Sequence, residues 1–234
     1  MLRDWLLCDF HIHTALSDGE LPLEDVIDLY GKNGFDAIAI TDHILDDVSE
    51  QKRIELGADY AVSEEGFDAY LRKLWQQARR AWRQYNMLVI PSAEITNNTA
   101  GYHILGIDLK EYIDPSQDVE HITEQIHAQE AIAVAPHPHR GKLDGTGELM
   151  HLWDNHEKYA SMFDSWEVAN RDDLFNVVGL KKFNYIANSD FHYPRHLYSW
   201  KTLLRCEKNT EAIKEAIRQN SGVSVYLFRE GKKL

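Results

Sequence analysis

Cysteine is almost missing from this 234-residue sequence: Cys8 and Cys206 are the only two. They supply no disulfide framework and no Cys-x-x-Cys zinc or redox pair, so both are read as inert core thiols, and any metal must be held by histidine and carboxylate. Long apolar runs are missing too. Ahead of Asp9 only Leu6-Leu7-Cys8 is apolar, far short of a signal-peptide core or a membrane span, which predicts a soluble cytoplasmic protein with no membrane partner. Positive charge is scarce: 25 Lys and Arg against 38 Asp and Glu leave a net charge of -13, the wrong sign for long duplex nucleic acid. No repeat or low-complexity block interrupts the chain, and 44% hydrophobic with 11% aromatic residues is ordinary for a folded protein, so residues 1–234 are expected to form a single domain.

Histidine, by contrast, is plentiful, with 12 residues. In Asp9-Phe10-His11-Ile12-His13-Thr14, at the end of a short apolar strand over 5–10, alternate side chains share a face, so His11 and His13 can reach one point with Asp9 beside them. Ser17-Asp18-Gly19 adds a carboxylate. A helix starting at Pro22 carries Leu23, Val26, Ile27 and Tyr30 at helical spacing, and the apolar strand 37–40 then delivers Thr41-Asp42-His43 at its end. Residues 44–62 read as loop with some helix. Residues 64–84 form a long amphipathic helix with Arg72, Lys73, Arg79, Arg80 and Arg83 on its outer face, which reads as a solvated face in preference to a contact for acidic partners. A strand over 87–90 ends near Glu94, and 102–106 returns beside it, bringing His103 near Glu94. After a helix around Val119, Ile122 and Ile126, the strand 131–135 ends in Pro136-His137-Pro138-His139-Arg140. Helices over 149–163, 174–183 and 211–219, the last capped by Asn209 or Thr210, alternate with strands at 165–168, 185–188, 202–206 and 223–228. Ser189-Asp190-Phe191-His192 follows the strand at 185–188. This alternation predicts an α/β fold with a parallel sheet, and the chemistry-bearing residues gather at strand C-terminal ends, where a β/α barrel keeps its active site.

His11, His13, Asp18, His43, Glu94, His103, His137, Asp190 and His192 are all ligand types suited to zinc, manganese or iron, and more than one ion needs. In this ordered set, a His-x-His near the start, a Thr-Asp-His, a Glu, a His-Pro motif and a terminal Asp-x-His, the sequence resembles the PHP (polymerase and histidinol phosphatase) superfamily of metal-dependent phosphoesterases. The resemblance implies a distorted (β/α)7 barrel, TIM-barrel-like, with three divalent metal ions at the C-terminal ends of the strands. It assigns His11, His13, Glu94 and Asp190 to a first ion and Asp18, His43 and His192 to a second. Glu94 bridges to a third, completed by His103 and His137. Asp9 and Asp42 are expected to orient neighbouring imidazoles. His121, His127, His151 and His156 read as surface residues, while His139 and His196 flank the site.

Clustered divalent ions bring positive charge to a pocket even in an acidic chain and activate water as hydroxide for attack on phosphorus. The expected activity is therefore a hydrolase acting on the phosphate ester of a small molecule. Arg140, Arg171 and Arg195 follow strand ends as candidate phosphate donors, Arg171 and Arg195 foremost, and the leaving-group acid is open among Asp42, His139 and metal-bound water. The alternatives are a nuclease-type phosphodiesterase acting on nucleic acid ends and a non-catalytic metal-binding scaffold. Some nucleotide-cleaving phosphatases of the superfamily carry an inserted domain between the positions here held by His103 and His137, which lie only 34 residues apart, so the resemblance implies an open pocket. Removing the ions is expected to leave Asp18, Glu94 and Asp190 repelling one another, with raised pKa values and a lower melting temperature. Oligomeric state, metal identity and the particular substrate are not readable from the sequence.

Overall fold

The tetrapeptide Ala37-Ile38-Ala39-Ile40 is buried at every position, as a strand covered on both faces must be, and forms β2 (Ala37–Ile40) parallel to β1 (Leu6–Asp9). The structure, a computed structural model, describes residues 4–58, 60–139 and 149–230. Between these strands lies α1 (Leu23–Lys32), which buries Leu23, Val26, Ile27 and Tyr30. Next come β3 (His43–Leu45), α2 (Asp47–Glu55), α3 (Glu64–Tyr85), β4 (Leu88–Asn97) and β5 (Tyr102–Ile107). The chain continues through α4 (Val119–Ala128), β6 (Ile132–Ala135), α5 (His151–Asp154), α6 (His156–Tyr159), β7 (Ser165–Ala169), α7 (Asn176–Leu180) and β8 (Tyr185–Ala187). A 3-10 turn (Pro194–Leu197), β9 (Trp200–Leu204), α8 (Thr210–Arg218) and β10 (Val223–Leu227) complete it.

The sheet runs β10-β9-β1-β2-β4-β5-β6-β7-β8, with β3 added against β4. It curls nearly closed: on β9, next to the terminal β10, the Thr202 hydroxyl accepts from the Ala187 N–H on β8 at 2.9 Å and donates to the Ala187 carbonyl at 2.7 Å. Ile12, just past β1, also bridges Phe191, just past β8. The result is the distorted TIM-like barrel expected from the sequence. It departs from an all-parallel sheet at β5, which returns antiparallel between β4 and β6, and at the antiparallel pair β9 and β10. Alternation sorts the core into two clusters. Residues such as Leu7, Ile38 and Val89 pack against α1 and α3, while Cys8, Ala37, Ala39, Ile90, Leu105, Val134 and Leu204 pack together with Ile213, Ala216 and Ile217 of α8.

Three segments differ from expectation. The stretch 44–62 holds both β3 and α2, the latter capped by Asp46, whose carboxylate accepts from the Ser49 N–H. β4 runs ten residues, through Pro91, the last position paired with β2 before its parallel partner becomes β3. The helix expected over 149–163 is two single turns divided at Asn155, whose side-chain amide donates to the His151 carbonyl. Of the two caps considered for α8, Asn209 serves, accepting from the Ala212 N–H. Among the described residues no helix is long and apolar enough to cross a membrane.

Candidate metal centre

The candidate ligands arrive at the same end of the barrel from six strands and one turn. His11 and His13 follow β1, His43 opens β3, Glu94 sits within β4, His103 lies on the antiparallel β5, His137 follows β6, and Asp190 and His192 follow β8. Only Asp18 comes from a turn; there Gly19 lies so close to the His13 carbonyl that an added Cβ would approach it to 2.5 Å, so no larger residue fits.

Glu94 is the centre of the arrangement, and it is 1% exposed. Its Oε2 lies 3.2 Å from His11 Nε2, 3.2 Å from His13 Nε2 and 3.3 Å from His43 Nδ1. Its Oε1 lies 2.8 Å from His103 Nδ1 and 3.1 Å from His137 Nε2. Asp190 Oδ1 approaches His11 Nε2 at 3.4 Å and His13 Nε2 at 3.5 Å, while Asp18 Oδ2 lies 3.2 Å from His192 Nε2 and 3.7 Å from His43 Nε2. The nine residues fall into four groups with donor atoms within 4.8 Å of one another. These are His13, Asp18, His43 and His192; His11, His13 and Asp190; His11, Glu94 and His137; and His43, Glu94 and His103. His103 and His137 thus reach Glu94 from two sides, with ring centres 5.1 Å apart.

His13 tests whether this donor set fits metal. It is fully buried, yet neither ring nitrogen has a hydrogen-bond partner, although carboxylate oxygens stand nearby. Buried polar atoms left in this way are costly unless something between them takes the lone pairs, and nitrogen and oxygen donors aimed at a common point suit a divalent ion.

Electrostatics follow from the packing. Burial alone would push the Glu94 carboxyl up, but the surrounding imidazoles, His11 foremost, outweigh it and hold the group well below the carboxylate range. Asp190 is held low in the same way, by His11 and the Arg171 guanidinium against the cost of burial, and so is Asp18, by His43, His192 and His13. The expected mutual repulsion of these carboxylates is therefore not found: each faces imidazoles. Burial lowers His13, but Asp190, Glu94 and Asp18 overcome it and raise the ring to about 9.

A second set of carboxylates braces the loops. Asp42, fully buried, accepts from the Thr14 N–H at 2.7 Å and the Ser17 hydroxyl at 2.7 Å. Asp9 accepts from the Ser189 N–H at 2.9 Å, the Ser189 hydroxyl at 2.6 Å and the Tyr30 hydroxyl at 2.9 Å, with the buried Lys201 ammonium 3.3 Å away. Neither orients an imidazole as expected from the sequence, because backbone and hydroxyl donors reach them first. Asp42 is not among the residues that line the cleft. The imidazole partner is Glu167 on β7, which sequence reasoning missed. Its carboxylate lies 2.9 Å from His11 Nδ1 and accepts from the His137 N–H at 2.8 Å and the Asn188 amide at 3.0 Å. A charged residue inside the short strand Ser165-Trp166-Glu167-Val168 was the available signal. His137 and Asp190 adopt left-handed backbone, with φ of 26° and 51°, a strain the bonds to His137 N–H and Ser189 N–H help to hold.

The other expected residues divide. Arg171 borders the cleft, its Nη1 2.7 Å from Asp190 Oδ2 and 3.2 Å from His192 Nδ1. Arg195 is exposed, lies over the Tyr193 ring at 4.7 Å and does not line the cleft. His139 is exposed and is not among the cleft-lining residues, and Arg140 lies outside the described residues. His196 accepts from the His192 and Tyr193 N–H groups. Burial, with Arg171, His192 and Arg195 nearby, lowers its pKa to about 3. His121 and His127 pair with Asp118 and Asp164 at the surface, but His151 and His156 are half-buried, against Tyr159 and Trp153. The cleft above the ligands measures about 290 Å³ and is walled also by Leu45, Tyr60, Thr96 and Asn98.

The whole-chain shape has solved counterparts. A two-domain protein from Bacteroides vulgatus, described as containing a predicted PHP-like metal-dependent phosphoesterase, superposes with a TM-score of 0.67 at 23% identity, over 97% of this chain. This chain spans only 65% of that protein's length. PsfC from Pseudomonas syringae superposes with a TM-score of 0.61 at 14% identity, covering 97% of this chain and 92% of its own. At such identities the likeness concerns the fold. No curated protein matches in sequence. The profile of the PHP domain, however, matches residues 9–224, which include every one of the nine converging side chains, and this chain belongs to the PHP domain family.

Proposed function

We propose that this protein is a metal-dependent phosphoesterase that hydrolyses the phosphate ester of a small molecule. The observation that carries the reading is the convergence of five imidazoles on one buried carboxylate, Glu94, at the floor of a cleft bordered by an arginine. Divalent ions held there, three in the fullest reading and of zinc, manganese or iron type, would supply Lewis acidity to a phosphoryl group and to its attacking water.

The chain's own residues do the rest. His11, His13 and Asp190 form one holding position, and Asp18, His43 and His192 a second. Glu94, reaching His103 and His137 with one oxygen, forms a third. Glu167 fixes the His11 ring so that Nε2 faces inward. Arg171 keeps part of its charge on Asp190 and offers the remaining guanidinium N–H groups to phosphoryl oxygens. Leu45, Tyr60 and Asn98 are the wall against which the organic part of the substrate would rest. A cleft of about 290 Å³ and a net charge of -13 favour a small phosphorylated metabolite over a nucleic acid end.

The test is elemental analysis of gently purified protein together with turnover of an aryl phosphate and of a panel of phosphorylated metabolites by metal-reconstituted protein. Two to three ions per chain and metal-dependent release of phosphate are expected. Folded protein that takes up no metal, or that binds it fully and cleaves nothing on the panel, overturns the assignment.

A further inference from the structure

α3 carries a feature that the metal centre does not use. Its inner face buries Phe67, Tyr70, Leu71, Leu74, Gln77 and Ala81. On its outer face Arg72, Trp75, Gln76, Arg79, Trp82 and Arg83 recur at the i, i+3, i+4, i+7 spacing of a single stripe. The stripe extends over three turns, about 16 Å at 1.5 Å per residue. Trp75 is 48% exposed and Trp82 46%, although neither needs to stand in water for the helix to pack.

The charges around them are uncompensated. Arg80 is tied to Asp28 at 2.6 Å and to Gln77 at 2.6 Å, but Arg72, Lys73, Arg79 and Arg83 have no acidic partner among the described residues. In a chain of net charge -13 acids are abundant, yet these four cations gather on one helix without one. The helix dipole accounts only for Arg83, in the last turn, because its effect fades within that turn. A plainly solvated face accounts for the cations but not for two large rings set between them.

We infer that this stripe docks an acidic amphipathic helix of a partner protein, whose apolar side chains cover Trp75 and Trp82 while flanking carboxylates meet Arg72, Arg79 and Arg83. Charge complementarity and length select this occupant. A helix of three turns confines its negative charge to the stripe, whereas a long single strand of nucleic acid or an anionic membrane would extend beyond it over a protein of net charge -13 and be repelled. Arg and Trp are also the side chains that most often dominate binding energy at interfaces, and they lie here at the centre of the stripe.

The test uses full-length, metal-loaded protein and a fluorescently labelled synthetic helix with leucine on one face and glutamate beside it, against a counterpart with glutamine for every glutamate. The glutamate helix should bind about tenfold more tightly than the glutamine one, the sum of a few exposed ion pairs, and lose that margin in high salt. Arg79→Glu with Arg83→Glu should weaken it by about tenfold or more. Trp75→Ala with Trp82→Ala should weaken both helices, and neither double variant should alter metal content or turnover. Equal binding of the two helices, or binding untouched by the charge reversal, overturns the inference. So would tighter binding of oligothymidine or phosphatidylserine vesicles than of the glutamate helix. Self-association in sedimentation velocity that the charge reversal abolishes would also overturn it, by assigning the stripe to a second copy of the chain.

Discussion

Two trios of carboxylates crowd the same end of the barrel, and they differ in what faces them. Asp18, Glu94 and Asp190 face imidazole nitrogens and are held below the ordinary carboxylate range in spite of burial. Asp9, Asp42 and Glu167 accept from the backbone N–H groups of Ser189, Thr14 and His137, and so pin the loops that carry the first set. Burial dominates at Asp42 and raises its pKa, the opposite direction from Glu94. Each trio is two aspartates and one glutamate, so residue type does not decide the role; the backbone N–H that each member of the second trio accepts does.

The comparison breaks most visibly at Glu94. Glu94→Gln removes the one charge that five imidazoles share, and turnover should fall by about three orders of magnitude, with loss of at least one ion. Asp190→Ala should cost at least about two orders of magnitude, since Arg171 would then lose its 2.7 Å partner at the cleft and the His11 and His13 position its carboxylate. Metal stoichiometry after dialysis and kcat measured on the same samples check both. A Glu94→Gln protein that keeps every ion would erase the distinction between the trios.

The bracing trio should respond more mildly and in a different quantity. Glu167→Gln keeps the shape but weakens the hold on His11 Nδ1 and on the His137 N–H. Its metal affinity should fall about 10- to 100-fold while saturating metal restores full stoichiometry. Titration of chelated protein with zinc measures this directly. An ion missing at saturation would move Glu167 into the ligand trio.

The convergence of the imidazole-facing trio was legible in the sequence and the partners of the bracing trio were not, for a physical reason. His11, His13, His43, Asp190 and His192 stand out because imidazoles and carboxylates at adjacent strand ends are rare without a ligand, and the alternation of apolar runs located those ends. A brace is defined by a backbone N–H from another strand, as when Asp9 reaches Ser189 across 180 positions, and nothing local records such a partner. The same limit hid Glu167 and led to imidazole partners being expected for Asp9 and Asp42. Helices were legible where an amphipathic face spans several turns, as in α3. They were not where single turns are set by a side chain such as Asn155.

Acidity offers a finer contrast, through His13. In metal-free protein its pKa of about 9 lies above the ordinary 6.5, so its ion pairs stabilise the fold fully below 6.5 and are lost as pH rises through 9. Glu94 and Asp190 act in the other sense, contributing above the ordinary carboxylate range and losing that contribution only as pH falls through their lowered values. Metal needs His13 without its proton. The melting temperature of chelated protein should therefore decline between pH 6.5 and 9, while the gap between metal-loaded and chelated protein widens over the same interval. Differential scanning at fixed metal concentration reads the gap; one that narrows would count against His13 as a ligand.

The smallest effect should come from His139, and its smallness is what makes it informative. His137 and His139 share the motif Pro136-His137-Pro138-His139, but only His137 turns into the site, 3.1 Å from Glu94 and 2% exposed. His139 is exposed and does not line the cleft. His137→Ala should release an ion, whereas His139→Ala should keep the full complement. A general acid accelerates its step by about a hundredfold or more, so if His139 protonated the leaving group its loss would lower kcat at least that far without touching metal content. The geometry predicts instead a change within about threefold, because a side chain turned to solvent has no reacting atom in reach. Measuring rate and stoichiometry together separates three roles that rate alone would confuse. Loss of an ion would make His139 a ligand, a hundredfold loss with all ions present would make it the acid, and neither would leave it a neighbour of the site.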